Sequence, residues 1–142
     1  MMPFGLKIAI INRAFRKQMD EKAAKLGLTS VQLRVLGSIS RLQERETEVH
    51  QKDLEQIEHV SHPAMTKLLQ RLEVKGLIRC APSVQDRRYK RICCTTQSAG
   101  IHRMILAQDA EVFDTLCRDL SPQQRAQLVE LADLLVKGID LA

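Results

Sequence analysis

The side chains in this sequence that could do chemistry are mainly basic, and they are concentrated in one short stretch. Residues 61–91 contain eight lysines and arginines but only two acids, a net charge of +6, whereas the whole chain of 142 residues carries +5. The eight basic residues are Lys67, Arg71, Lys75, Arg79, Arg87, Arg88, Lys90 and Arg91. All of the excess positive charge therefore lies in this segment, which is typical of a surface that binds a polyanion. A solvated basic face without a ligand is the alternative.

Metal and thiol chemistry have less support. The cysteines form no C-x-x-C pair, and His59 and His62 are separated by a helix break at Ser61, so no set of zinc ligands is predicted. We expect no metal and no cofactor. The four cysteines are expected to be buried or half-buried free thiols, and a redox-sensing role is left open for Cys80, Cys93, Cys94 and Cys117.

The common catalytic patterns are missing from the sequence. There is no Gly-rich phosphate loop, no G-x-S-x-G turn and no His–carboxylate cluster at a helical spacing, so we expect that the chain is not an enzyme. Only 3% of the residues are aromatic, which disfavours a stacking platform for single strands. The apolar run Ile8–Ile11 is too short to span a bilayer, and we expect a cytoplasmic protein without membrane contact.

Helix caps and apolar periodicity predict how the basic segment is displayed. A short helix from about Gln51 to His59 precedes a second helix that Ser61 caps, with Pro63 in its first turn and Gly76 at its end. The two helices are predicted to bury the apolar residues Leu54, Ile57, Met65, Leu68, Leu69 and Leu72. A short helix, a tight turn and a capped helix with a polar, basic outer face form a helix-turn-helix.

A β-hairpin is predicted directly after these helices. Residues 77–81 and 89–95 have the composition of two strands, and residues 82–88 contain the turn residues. Asp86, Arg87 and Arg88 lie at the tip of this hairpin. A helix-turn-helix followed by a basic-tipped hairpin is a winged helix, so the predicted fold is mainly α with a small β-hairpin wing.

Amphipathic helices flank the winged helix on both sides. One runs from Pro3 to Lys25, and the capping box of Thr29 and Gln32 opens the next, while the C-terminal pair covers Ser98 to about Asp119 and the segment after Ser121. We assign residues 1–28 and 98–142 to dimerisation and residues 29–97 to the winged helix, because a second copy is the commonest partner for such helices. The expected interface residues are Phe4, Ile8, Ile11, Val112, Leu116, Leu120, Leu128, Leu131 and Leu135. Packing of these helices onto their own domain is the alternative.

Taken together, these features resemble the MarR family of bacterial winged-helix transcriptional regulators. The resemblance covers nearly the whole chain and is most specific in four fragments, Lys52-Asp-Leu54, Ser61-His-Pro63, Leu72-Glu-Val-Lys-Gly-Leu-Ile78 and Asp86-Arg-Arg88. The run from Asp86 to Ile92 looks like the SlyA-type branch. The sequence departs from the family pattern at His50, Ala64, Cys94 and Ser98.

The resemblance implies a homodimer on a pseudo-palindromic double-stranded DNA site, with the helix after Ser61 in the major groove and the wing in the minor groove. The Ser61 hydroxyl suits a phosphate, and the first turns of its helix can reach base edges. Arg88 is the residue expected to enter the minor groove, with Asp86 orienting it. The full set of expected DNA contacts is Ser61, His62, Pro63, Thr66, Lys67, Gln70, Arg71, Asp86, Arg87, Arg88, Lys90 and Arg91.

Family members commonly respond to small aromatic compounds, to oxidants or to metals, and an effector pocket is implied between the dimerising helices and the winged helix. The candidate residues for it, which are equally good core residues, are Phe15, Met19, Val35, Ile39 and Met104. Sensing by a cysteine in the leading helix is disfavoured because no cysteine precedes Cys80. We expect a repressor, since a bound dimer most simply blocks polymerase. A winged helix used only for protein–protein contact is the alternative.

Overall fold

Six helices and one antiparallel hairpin make up residues 1–139, the part of the chain that the computed structural model describes. In chain order the elements are α1 (Phe4–Lys25), α2 (Ser30–Glu44), α3 (Gln51–Glu58), α4 (His62–Val74), β1 (Ile78–Pro82), β2 (Lys90–Cys94), α5 (Thr96–Leu116) and α6 (Pro122–Lys137). The predicted winged helix is confirmed, and its strands lie within one residue of the predicted bounds. Because α5 begins at Thr96, the predicted boundary between residues 97 and 98 falls inside its first turn.

The predicted caps begin three of the helices. The Thr29 hydroxyl accepts a hydrogen bond from the Gln32 amide at 3.1 Å, and the Gln32 side chain accepts one from the Thr29 amide at 3.0 Å. Ser61 caps α4 by accepting from the amide of Ala64 at 3.3 Å, and Ser121 caps α6 through a second capping box. These bonds satisfy amides that have no partner inside the helix.

One hydrophobic core holds α4 and the hairpin in place. Met65 and Leu72 of α4 are fully buried against residues of α2 and α3, and Ile78 and Ile92 seal the base of the hairpin. Ile57 was predicted in this core, and that prediction is wrong, since its side chain is 45% exposed. The short helix α3 contributes one fully buried side chain, Leu54, to the core. Ile57, in the next turn, therefore lies outside the core.

The hairpin presents two different faces. Cys80 pairs with Ile92, while Arg79 pairs with Cys93 on the opposite face, because side chains alternate along a strand. The amide of Ile92 also donates to the carbonyl of Val49 at 2.8 Å, so the loop before α3 is tied to β2. The wing is therefore connected to the helix-turn-helix twice, through the chain between α4 and β1 and through this hydrogen bond from β2.

The outer helices carry most of the exposed apolar surface. No residue of α6 is buried, and its contact with α5 includes the ion pair of Arg125 and Asp114 at 2.9 Å. The expected interface residues that are exposed in the single chain are Phe4, Ile8, Ile11, Leu116, Leu128, Leu131 and Leu135, and Leu120 is half-buried. Val112 is a correction to that set, since it is completely buried within its own chain. None of the described helices has the length and apolar content needed to cross a bilayer.

Candidate nucleic-acid interface

The exposed side of α4 carries the predicted base-reading residues. Ser61 lies just before the helix, and the exposed side chains that follow it are His62, Pro63, Lys67, Gln70 and Arg71. Thr66 lies between them but is half-buried. The amides of the first turn and the positive end of the helix dipole face the same region, so this surface suits a phosphate next to a groove.

A hydrogen-bond network between α3 and α4 holds the start of this helix. Gln51 Nε2 donates to Thr66 Oγ1 at 2.9 Å and to the carbonyl of His62 at 3.3 Å, and Glu55 Oε1 lies 2.8 Å from His62 Nδ1. Thr66 Oγ1 in turn donates to the carbonyl of His62 at 2.9 Å. Thr66 was expected to contact DNA, but its hydroxyl proton is therefore already donated within the protein.

Sequence reasoning missed Gln51 and Glu55. The one signal available was their spacing, since residues four apart lie on one face of a helix and here that face meets α4.

The wing tip is organised by Asp86 and Arg88. Arg88 donates from Nη2 to Asp86 Oδ2 at 2.7 Å and from Nε to both carboxylate oxygens at 3.1 Å, while its amide donates to Oδ1 at 3.0 Å. These bonds lower the pKa of the Asp86 carboxyl. The Arg88 side chain remains 84% exposed, so a charged group is both oriented and available. Arg87 and Lys90 are also exposed, whereas Arg91 is half-buried.

Glu48 anchors the other end of the wing tip and was not predicted from the sequence. Its carboxylate accepts from Ser83 Oγ at 2.5 Å, from the amide of Val84 at 3.0 Å and from His50 Nε2 at 3.1 Å. The hydrogen bonds from Ser83 and then Val84 are the main reasons that the pKa of Glu48 is lowered. The loop before α3 therefore positions the wing as well as the helix-turn-helix.

We expect replacement of Glu48 by Gln to lower the free energy of unfolding at pH 7 and to have a smaller effect at about pH 3. A carboxyl whose pKa is lowered by folding stabilises the fold fully above its ordinary value of 4.5 and loses that contribution as the pH falls through the lowered value. Urea denaturation of both proteins at the two pH values measures the difference. The exposed Glu44 provides a matched control, and Glu44→Gln should show no such pH dependence. A deficit in E48Q of the same size at pH 3 as at pH 7 would contradict this origin.

The cysteines of the described chain are all free thiols. Cys117 is buried, and Cys80, Cys93 and Cys94 are half-buried around the hairpin. Burial, followed by the nearby Glu73 carboxylate, raises the pKa of Cys80 to about 11, and burial also raises the pKa of Cys94. These two groups are therefore protonated and weakly nucleophilic at neutral pH. Residues 1–139 bring together no cluster of three or more metal-ligating side chains.

A cavity of about 510 Å³ lies between α1, α2 and α5. Phe15 and Met19, two of the five expected effector-pocket residues, line it. The other three are corrections: Val35 and Ile39 are completely buried in the core, and Met104 is exposed outside the cavity. Since successive helical residues turn by about 100°, residues two positions from the lining residues Leu33 and Gly37 face the opposite side of α2. Arg16, Arg34 and Arg41 also reach the cavity.

Comparison with known proteins gives consistent matches. Residues 26–88 match the MarR family. A crystal structure of MarR superposes with a TM-score of 0.82 at 26% identity, covering 96% of this chain and 90% of the other. Wild-type apo MarR from E. coli superposes with a TM-score of 0.83 at 24% identity, covering 95% and 97%. The MepR–DNA complex of S. aureus has a TM-score of 0.75 at 22% identity, covering 98% and 100%.

Proposed function

We propose that this chain, which matches the MarR family of winged-helix regulators over residues 26–88, is a sequence-specific repressor that binds a pseudo-palindromic double-stranded DNA operator as a homodimer. The observation that carries the proposal is that one core holds α4 and the base of the hairpin, and therefore fixes the exposed basic side of α4 relative to the basic wing. Residues 29–97 then form the DNA-binding part, and residues 1–28 and 98–142 form the dimerisation part. The last of these ranges extends beyond residue 139, where the described chain ends.

In this proposal α4 enters the major groove of each half-site. The first-turn amides and Ser61 contact a phosphate, while Gln70 and Arg71 have the hydrogen-bonding groups that pair with adenine and guanine edges. The wing then extends along the duplex towards the minor groove, where Arg88 is inserted and Arg87, Lys90 and Arg91 contact phosphates. The MepR structure, which shares the fold, is a complex with DNA and supports DNA binding by a chain of this fold.

The homodimer is supported by the apolar side chains that α1 and α6 leave exposed. Leu131, Leu134 and Leu135 are each about 60% exposed on α6, in a helix that buries none of its residues in its own chain. Contiguous exposed apolar surface of this kind marks an interaction site, and a second copy presents the same surface in return. Dimerisation would also place two copies of α4 for a two-fold symmetric site.

A small aromatic effector would bind in the cavity between α1, α2 and α5. Phe15 and Met19 supply apolar and aromatic contacts, and Arg16 and Arg41 suit an anionic substituent, whereas Arg34 is paired with Glu58 at 3.1 Å. The cavity lies between elements of the proposed dimerisation part and α2 of the DNA-binding part. A ligand there would change the spacing of the two α4 helices, and this is how it would release DNA.

The proposal predicts tight, salt-sensitive binding to the native upstream DNA. If the four wing cations of each protomer neutralise phosphate charge, the plot of log affinity against log salt concentration should have a slope of about −7. Fluorescence anisotropy on the native duplex and on a scrambled duplex of the same composition, across a salt series, measures both affinity and specificity. Equal and weak binding to both duplexes would contradict sequence-specific recognition. Absence of binding even at low salt would favour a protein-interaction module.

A further inference from the structure

We propose that Glu55 and Gln51 of α3 are positioning residues that determine which base the protein recognises, and that His62 is the reader, accepting a hydrogen bond from a base amino group through Nε2. The inference rests on the proposed DNA-binding function and deepens it. It is drawn from the contacts across the α3–α4 turn, which join two residues outside the expected interface to two residues within it.

The contact with Glu55 sets the tautomer of His62. A carboxylate only accepts hydrogen bonds, so at 2.8 Å from Oε1 the Nδ1 atom of His62 must carry the proton. In a neutral imidazole the remaining lone pair is then on Nε2. The His62 side chain is 74% exposed while Glu55 is only 17% exposed, so the carboxylate holds the ring from the protein side. Within residues 1–139, Nε2 has no hydrogen-bond partner and is available to a ligand.

Gln51 completes the arrangement. Its Nε2 also lies 3.1 Å from His62 Nδ1, but that atom donates to the closer and charged Glu55, so the amide hydrogens go to Thr66 Oγ1 and the carbonyl of His62. Both hydrogens of the Gln51 amide and the hydroxyl hydrogen of Thr66 are thereby satisfied. Thr66 therefore has no proton left to donate to a base acceptor. His62 is then the polar side chain in the first turn of α4 that can form a hydrogen bond with a base.

The chemistry of the major groove identifies the base. Adenine presents its N6 amino group and cytosine its N4 amino group, whereas guanine and thymine present carbonyl oxygens that would face the Nε2 lone pair. We therefore infer that each half-site has an adenine or a cytosine opposite His62 when the imidazole is neutral. One such hydrogen bond corresponds to about a threefold to tenfold preference over guanine or thymine at that position.

Selection from a random duplex library at pH 8 tests the inference. The wild type should enrich adenine or cytosine at one position of each half-site, and His62→Ala and Glu55→Ala should both lose about threefold to tenfold discrimination there. The double variant should lose no more than His62→Ala alone, because Glu55 acts through His62. Glu55→Gln should restore the preference, since its amide oxygen can still accept from Nδ1. Asp53→Ala, which removes the acceptor for the His50 amide at the start of the same helix, should destabilise the protein without changing the preference.

The tautomer provides a readout that does not depend on DNA. Nitrogen-15 spectra of the imidazole at pH 8 should show the Nδ1–H tautomer in the wild type and in E55Q, and loss of that tautomer in E55A. Identical selected sites for the wild type and E55A, or an unchanged tautomer in E55A, would overturn the inference and leave the proposed function intact. If the wild type enriches no sequence at all, the proposed function fails and the inference fails with it.

Discussion

Replacing Leu131 and Leu135 together by lysine is expected to convert the protein into a monomer and to weaken its binding to operator DNA by about a hundredfold or more. The two leucines lie four residues apart, so they share one face of α6, and each is 58% exposed in the single chain. At a two-fold interface each substitution is present twice, so four ammonium groups would be buried among apolar side chains at a large desolvation cost.

The loss of DNA binding follows from the loss of the second half-site. A dimer whose first α4 is bound holds its second α4 at a high effective concentration, and a monomer loses that advantage without losing any contact of its own. The added lysines make the protein more positive, so simple attraction to phosphates would strengthen binding. Weaker binding therefore cannot be attributed to charge repulsion.

The matched control places two lysines on the polar side of the same helix, at Glu130 and Asp133. This variant should remain dimeric and bind the operator at least as well as the wild type. Sedimentation equilibrium gives the oligomeric state, and anisotropy gives the affinity. A leucine-to-lysine variant that remained a dimer would contradict the proposed interface, and a monomer with full affinity would contradict binding as a dimer.

The sequence was sufficient to predict the fold because its local signals agree with one another. Thr29, Ser61 and Ser121 each begin a helix as predicted, and each has its hydrogen-bond partner within three residues. Gly27 and Gly76, with φ of +72° and +76°, end α1 and α4 in a backbone conformation that glycine adopts most easily. Signals of this kind need no knowledge of tertiary structure. The pairing of Asp86 with Arg88 was expected from the resemblance to the MarR family, and it also joins residues only two positions apart.

The parts that sequence reasoning missed depend on contacts between different secondary-structure elements. Glu48 reaches Ser83 across 35 positions, and nothing near Glu48 in the sequence distinguishes it from a solvated carboxylate. Val35 and Ile39 have the same residue types and spacing as a pocket lining, and only the packing of α2 shows that they are core. The complete burial of Val112 likewise depends on how α5 packs within the folded chain. Periodicity locates an apolar face but does not say which neighbour covers it.

Arg88→Ala is expected to weaken operator binding by about tenfold to a hundredfold and to reduce the magnitude of the salt slope by about 2 for a dimer. Arg88 extends from the wing with its side chain 84% exposed, and Asp86 holds its guanidinium at two nitrogens. An arginine held in this way loses little further conformational entropy when it enters a narrow minor groove. Anisotropy across a salt series measures both quantities. Unchanged affinity and slope would rule out a DNA contact at Arg88.

Substitutions at the two preceding residues distinguish the effect of the orientation of Arg88 on DNA binding from the effect of its charge. Arg87→Ala removes the same charge from an exposed neighbour, so it should reduce the slope equally but cost less affinity on the native site. Asp86→Asn makes the wing one charge more positive, and a purely electrostatic contribution would therefore strengthen binding. The Asn side chain can still accept from the amide of Arg88, so the turn is kept while the charged pairing is lost. Because the structure uses Asp86 to aim Arg88, we expect D86N to bind the operator more weakly than the wild type despite its higher charge, while binding scrambled DNA at least as well.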